Sequence, residues 1–343
     1  MILTYKIKHN RDFTTELKKA FEIAEFVVAN KIRSPNTTFV KDIRGDLPSA
    51  IACQVMKKYG NQKNIRSVHS VNLILPGQGI KFFEETNSIW VSCLKLHLEN
   101  LIPYNFTKIN QMEIDKEYCY ISVTVSEKSE MMPQNLIGVD RNTTGHIVVT
   151  ANLTTGQVRK MGKKSLHIHK KYSNIRRKLQ SDGKYRKVKK IKDKESRIVR
   201  DLNHKISREL VDMAKIQNAA LVFEDLTGIR NTKKQNQSFR YSLHSWSFYQ
   251  LQQFVEYKAK LLGVPVLYVD PAYTSQDCSR CGSRGQRRGK EFICPVCGRV
   301  NHADVNAAFN IALRQKDMVA CMQTKMYTMG TLISQNDALL EGE

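Results

Sequence analysis

Leu136-Ile137-Gly138-Val139-Asp140 is an apolar run that stops on a carboxylate. Runs of this kind suit strands covered on both faces. Two further strand-like segments follow at once, His146 to Asn152 and Gln157 to Met161. The turn formers Asn142-Thr143-Thr144-Gly145 and Thr154-Thr155-Gly156 separate them, so the three strands read as a meander. After a long basic segment comes a second apolar run, Ala219-Ala220-Leu221-Val222-Phe223, which stops on Glu224. A polar loop from 227 to 245 leads to an expected helix from about Ser247 to Leu262, stopped by Gly263. Another strand is expected from Val264 to Asp270.

Three meandering strands, helix, strand, helix, strand is the order of an α/β, ribonuclease H-like fold. N-terminal to it, Ser126 to Asn135 is polar, carries Pro133 and makes a boundary. The residues before that boundary read as a β-rich module interrupted by helices. Residues 1–11 suit a strand. Leu17, Ala20, Phe21, Ala24, Val27 and Val28 keep helical spacing, with Thr14 or Thr15 as the expected cap. A second helix is expected around Leu47 to Lys58. Strands are expected at Gly79–Phe83, Ser88–Leu94 and Tyr118–Val125. From about Gln315 the chain reads as a partly helical tail.

A third acid completes a pattern. Asp304 opens a helical stretch, Val305 to Leu313. Carboxylates at strand ends and at a helix start sit on rigid elements and can converge on divalent ions, which prefer hard oxygen ligands. Side chains alternate along a strand, so Glu224 and Asp225 point to opposite sides, and Glu224 is the candidate ligand. Any one acid after a strand is ordinarily a turn residue. Asp270, before Pro271, is read that way and held in reserve. The weight lies in the joint pattern of Asp140, Glu224 and Asp304.

Eight cysteines are present, and four of them cluster. Cys278-Ser279-Arg280-Cys281 and Cys294-Pro295-Val296-Cys297 form two C-x₂-C knuckles, each followed by glycine. Four thiolates at this spacing suit one tetrahedral, structural Zn²⁺ rather than a redox pair. The loop between the knuckles carries Arg284, Arg287, Arg288 and Lys290, either as phosphate contacts or as a solvated loop. Cys53, Cys93, Cys119 and Cys321 are scattered, which argues against a secreted disulfide framework.

The 343 residues are 41% hydrophobic and carry a formal net charge of +23. This favours a polyanionic partner. Between Arg159 and Arg208 lie twenty Lys or Arg against four Asp or Glu, a balance of +16. Tyr172, Ile175, Leu179, Ile191, Ile198, Leu202 and Ile206 keep helical spacing within that segment, and Gly183 is expected to divide it into two helices. One face then packs on the sheet and the other meets phosphates. The candidate nucleic-acid contacts are Lys170, Lys171, Arg176, Arg177, Lys187, Lys189, Lys190, Arg287 and Arg288. Tyr172 and Tyr185 either stack on bases or pack in the core. The chain has neither a signal-peptide pattern nor an apolar run of membrane-spanning length. The expectation is a cytoplasmic, nucleoid-associated protein with no membrane partner.

Five segments occur in order. They are Gly138-Val139-Asp140-Arg141-Asn142; Phe223-Glu224-Asp225-Leu226; Tyr273-Thr274-Ser275-Gln276-Asp277-Cys278-Ser279-Arg280-Cys281-Gly282; Cys294-Pro295-Val296-Cys297-Gly298; and Asn301-His302-Ala303-Asp304-Val305-Asn306-Ala307-Ala308. Together, over about residues 135–314, they resemble the TnpB (OrfB) proteins of insertion sequences. The resemblance implies a RuvC-like nuclease domain at 135–314 with a zinc ribbon inserted at 274–303. It implies a wedge-type β-barrel module at 1–11 and 75–134, a short helical recognition insert at 12–74 and a C-terminal tail at 315–343.

Carried over by motif, Asp140, Glu224 and Asp304 are the catalytic acids and hold Mg²⁺, as a pair of ions. Cys278, Cys281, Cys294 and Cys297 hold one Zn²⁺. The implied activity is RNA-guided cleavage of double-stranded DNA beside a short adjacent motif, with guide RNA encoded at the end of a transposable element. Three alternatives stand beside it. One is a guide-dependent repressor without cleavage, which the intact acidic set argues against. The others are a zinc-ribbon DNA-binding protein and a transposase, both acting without guide RNA. Asn142 departs from the family, where many members carry Gly.

Overall fold

The computed structural model describes residues 1–62, 64–142, 145–226 and 248–316. The loop expected at 227–245, the middle of the turn at 142–145, Cys321 and all but the start of the 315–343 tail lie outside the described residues. The chain divides into two compact units, Met1–Ser126 and Glu127–Glu343.

The first unit runs β1 (Ile2–Lys8), α1 (Thr14–Ala29), α2 (Lys41–Arg44), α3 (Ser49–Gly60), β2 (Leu73–Pro76), β3 (Ile80–Phe83), β4 (Ser88–Val91), β5 (Leu96–Glu99), β6 (Phe106–Ile114) and β7 (Tyr118–Val125). One antiparallel sheet has the order β1-β7-β6-β2 and a second has β3-β4-β5. Helix α1 buries Leu17, Ala20, Ile23, Ala24 and Val27 on one face. Neither threonine caps it. The Asp12 carboxylate instead accepts the Thr14 amide at 2.9 Å. Strands β2, β5 and β6 go beyond the sequence expectation. In β6 register shifts place the buried Ile109, Met112 and Ile114 at uneven spacing, so no alternation is visible. The strand expected to reach Leu94 stops at Val91, where a 3₁₀ turn takes over.

The second unit begins with the meander β8 (Asn135–Arg141), β9 (Val148–Asn152) and β10 (Val158–Met161). Helices α4 (Lys164–Ser181), α5 (Tyr185–Ile191) and α6 (Lys194–Ile216) follow, then β11 (Ala219–Glu224), α7 (Phe248–Leu262) and β12 (Val266–Val269). The five strands are ordered β10-β9-β8-β11-β12. The first three are antiparallel, and β11 pairs in parallel with β8 and β12. This is the element order expected from the sequence. Strand β11 is covered on both faces. Ala219, Leu221 and Phe223 face a core shared with Leu210, Ala214 and Val255, while Ala220 and Val222 pack with Ile311 and Ala312. Strand β12 is an edge, so it is only half-buried apart from Val269.

The basic segment forms three helices rather than two. Gly183 (φ +66°) ends the first, and a second break separates α5 from α6. The seven-residue α5 buries nothing, so apolar spacing there had no core to report on. Tyr172 is buried, whereas Tyr185 is 68% exposed.

Past β12, the strands β13 (Gln286–Arg288), β14 (Glu291–Ile293) and β15 (Val300–His302) form a small antiparallel sheet. Helix α8 (Ala303–Leu313) follows directly and returns to the main sheet. Its approach explains the glycine inside the first apolar run. A Cβ at Gly138 would lie 1.9 Å from the Ala308 carbonyl oxygen. Only a bare Cα lets α8 lie this close to β8.

Candidate active site

The register of two neighbouring strands pairs Val139 with Phe223. The next residues, Asp140 and Glu224, therefore end side by side on one face of the sheet. Asp304 comes from the first turn of α8, which Gly138 admits against β8. The structure thus gathers three carboxylates that lie far apart in sequence. Asp140 is 8% exposed and Asp304 2%.

Their proximity shows in their electrostatics. Burial, then the negative charge of Glu224, then that of Asp304 push the Asp140 carboxyl up to about 7. The hydrogen bond from Asn142 and the charge of Arg287 oppose that rise. Burial also raises Glu224, against a hydrogen bond from Thr274 and the charges of Arg141 and Arg314. Like charges held together in a dry place are costly unless a cation offsets them. The donor set is all oxygen, which fits a hard divalent ion such as Mg²⁺.

Each acid has protein partners. Asn142 Nδ2 donates to Asp140 Oδ2 at 2.7 Å. The residue that departs from the family pattern is therefore a direct neighbour of the first acid. Thr274 Oγ1 donates to Glu224 Oε1. Lys290 Nζ lies 2.6 Å from Asp304 Oδ2, and Arg287 Nη2 lies 3.3 Å from Oδ1. His302 Nδ1 is 3.9 Å from the same carboxylate. Asp225 is exposed, and Asp270 accepts the Ala272 amide at 2.9 Å, as a turn residue does.

Several positioning residues escape the sequence reading. Buried Arg141 donates to the Glu224 carbonyl at 2.6 Å and to Gln252 Oε1 at 2.8 Å, tying the ends of β8 and β11 to α7. Asn306 and Asn310 lock α8 to the segment before the first knuckle. Asn306 Nδ2 reaches the Asp277 carbonyl, and Asn310 Nδ2 reaches the Thr274 and Asp277 carbonyls, all at 2.7 Å. Two asparagines four apart, in a stretch from Val305 to Leu313 that is otherwise apolar, are a readable signal of such a lock.

The four cysteines converge as their spacing implies, with sulfurs all within 4.8 Å of one another. Cys278–Cys297 and Cys281–Cys294 are each 3.6 Å apart. Edges of a ZnS₄ tetrahedron with Zn–S near ~2.3 Å are about 3.8 Å, whereas a disulfide needs about 2.05 Å. Gly282 (φ +74°) and Gly298 (φ +67°) close the two knuckle turns. The amides of Arg280 and Cys297 point at Cys278 and Cys294 sulfurs at 3.5 Å, as they would at thiolates. Hydrogen bonds from Ser283 pull Cys281 down to about 6. The Arg299 amide lowers Cys297, but burial and the three neighbouring sulfurs carry it up to about 11. Among the described residues this is the one cluster of metal-ligand type whose donor atoms all lie so close together. The cysteine set fits zinc.

Of the nucleic-acid candidates, Lys170, Lys171, Arg177, Lys187, Lys189, Lys190 and Arg288 are exposed. Arg176 is instead held by buried Glu195, whose other oxygen is 2.5 Å from His169 Nδ1. Arg287 faces Asp304. No described helix is long and apolar enough to cross a membrane.

Comparisons with known proteins bear on this arrangement. A profile of the family described as Cas12f1-like, TNB domain matches residues 248–311, from α7 through the ribbon to α8. A TnpB-like protein of Methanocaldococcus jannaschii is 31% identical over 271 residues, covering 74% of this chain and 89% of that protein. A TnpB-like protein of Aquifex aeolicus is 28% identical over 57% of this chain and 73% of its own length. The CRISPR-associated endodeoxyribonuclease Cas12f1 of Sulfoacidibacillus thermotolerans is 37% identical over 148 residues, and the match spans 34% of its length. A solved Cas12f1–sgRNA–target DNA complex aligns with 91% of this chain and 99% of its own at 18% identity and a TM-score of 0.44.

Proposed function

The chain belongs to the TnpB family, and from that membership we propose that it is an RNA-guided, divalent-metal-dependent DNA endonuclease encoded by a transposable element. The observation that carries this reading is that Asp140 and Glu224 end neighbouring parallel strands, with Asp304 in the first turn of α8 acting on Asp140, beside a four-cysteine ribbon, in a chain of net charge +23. The names of its relatives support the same class, since they include CRISPR-associated endodeoxyribonucleases.

Asp140, Glu224 and Asp304 would hold a pair of Mg²⁺ ions, whose chemistry would be to activate a water and to stabilise the departing oxygen of the phosphodiester. The protein's part is to hold the oxygen donors. Thr274 fixes Glu224 through Oε1 and leaves Oε2 for a ligand's role. Asn142 fixes Asp140 through Oδ2 and leaves Oδ1. Arg141 keeps the ends of β8 and β11 in step. Asp304 is oriented by α8, and α8 by Asn306 and Asn310.

Sequence choice comes from pairing between a guide RNA and the target strand, while the protein reads backbone shape and a short adjacent duplex motif. The exposed lysines and arginines of α4 and α5 suit phosphate contacts. The first unit takes the place of a wedge-type barrel, with α1 to α3 as a short recognition insert.

The test is purification together with the transcript flanking the gene, followed by cleavage of matched and mismatched DNA with Mg²⁺ or EDTA. The reading predicts co-purifying RNA and cutting of matched DNA in Mg²⁺ alone. It predicts that Asp140→Ala abolishes cutting while target binding persists. RNA-free protein that cuts without regard to sequence refutes it.

A further inference from the structure

Asp304 is almost fully buried, and both of its oxygens are engaged by cations of the zinc ribbon. Lys290 makes the shorter contact, at 2.6 Å to Oδ2. Its position is fixed by the backbone. Gly289 (φ +62°) turns the chain between β13 and β14, and the Lys290 carbonyl accepts the Ala303 amide at 2.8 Å. The residue carrying the ammonium is thus tied to the residue preceding Asp304. The ammonium group takes an oxygen that a directly coordinated divalent ion needs, and its charge repels such an ion at contact distance. Arg287 reaches the other oxygen at 3.3 Å and also acts on Asp140, so it adds to the same local charge.

We infer that Lys290 competes with the divalent ion for Asp304, so that a ribbon residue with no part in zinc binding sets the metal affinity of the acidic site. This rests on the acid-site reading above. It assigns the ribbon hairpin a role beyond its own fold: it raises the metal concentration at which the acids fill. Lys290 is on this account a positioning residue that acts through Asp304.

The experiment is a titration of the full chain, zinc retained, with Mn²⁺ followed by electron paramagnetic resonance. Lys290→Gln tightens Mn²⁺ binding about fivefold, which corresponds to about 1 kcal/mol. Lys290→Arg keeps the charge and stays near the wild type. Zinc content, measured on the same samples, is unchanged in both, because the backbone contact to Ala303 does not depend on the side chain. Unchanged or weaker Mn²⁺ binding in Lys290→Gln, with zinc intact, overturns the inference. Asp304→Asn is the control for the underlying reading. If it binds Mn²⁺ as the wild type does, the acid site itself is wrong and the inference falls with it. If it loses binding while Lys290→Gln shows no gain, the inference alone fails.

Discussion

The four cysteines and the three carboxylates belong to the same unit, yet their surroundings are opposites. The cysteines come from two short knuckles, 278–281 and 294–297, and the backbone turns that present them are complete in themselves. Their sulfurs already stand close to tetrahedral spacing. The carboxylates come from two strands and a helix spread over more than 160 residues, from Asp140 to Asp304. Asn142, two residues on, holds Asp140, while the other two acids are met by side chains from elsewhere in the sequence, Thr274 and Lys290. A closed set of four soft ligands leaves no position for a substrate and serves folding. The three acids, two of them buried, repel one another unless a cation offsets them, which the proposed function uses. On the proposed function, the contrast separates a structural site from a working one.

The largest effect expected of a single change falls on the first region. Cys294→Ser removes a buried cysteine of the cluster that fits zinc, and metal binding supplies folding free energy on the order of 10 kcal/mol in small zinc modules. Zinc content drops from about one per chain to near zero, and limited proteolysis opens the ribbon between 284 and 299. A variant that keeps its zinc and its protease resistance breaks the contrast at its structural end.

The second region predicts the opposite sign. Asp140 ordinarily titrates near 3.8, and in the fold it is pushed up to about 7. Its ionised form therefore opposes folding. The penalty is absent below about pH 4, grows as pH climbs to 7 and is complete above it. In magnesium-free buffer at pH 8, Asp140→Asn should stabilise the protein by up to about 4 kcal/mol, three pKa units at 1.36 kcal/mol each. At pH 4 the gain should vanish. Thermal unfolding at the two pH values checks this, and a destabilised variant at pH 8 contradicts it.

A smaller effect tests how the carboxylate region is assembled. Gly138→Ala places a methyl group 1.9 Å from the Ala308 carbonyl oxygen, a backbone atom that cannot turn aside. Overpacking of this kind costs about 1–3 kcal/mol. The helix carrying Asp304 is pushed off β8, so Mg²⁺-dependent cutting should fall more than stability alone explains. Wild-type stability and cutting would mean that the close approach does not matter.

What could be read in advance follows the same division. The cysteine set is local, so spacing alone located all four cysteines of the cluster. The order of elements in the second unit was legible because Leu136–Val139 and Ala219–Phe223 are apolar runs that stop on acids. The contacts of the acids were not. Lys290 and Thr274 meet carboxylates that are 14 and 50 residues away in sequence, and only the return of α8 to the sheet brings them there. Arg176 looked like one more surface cation, and its pairing with Glu195 depends on how α4 and α6 pack. In the first unit, β6 hid its alternation behind its register shifts.

The central claim is that Asp140, Glu224 and Asp304 form one divalent-ion site. Iron-directed cleavage of the polypeptide tests it most directly. Fe²⁺ is loaded in place of Mg²⁺, ascorbate and peroxide are added, and the fragments are mapped by mass spectrometry. The account predicts backbone cuts clustered near residues 140, 224 and 304 together, suppressed by excess Mg²⁺ and lost in Asp140→Ala. Cuts near only one of the three segments, or a pattern that Mg²⁺ leaves unchanged, would contradict it.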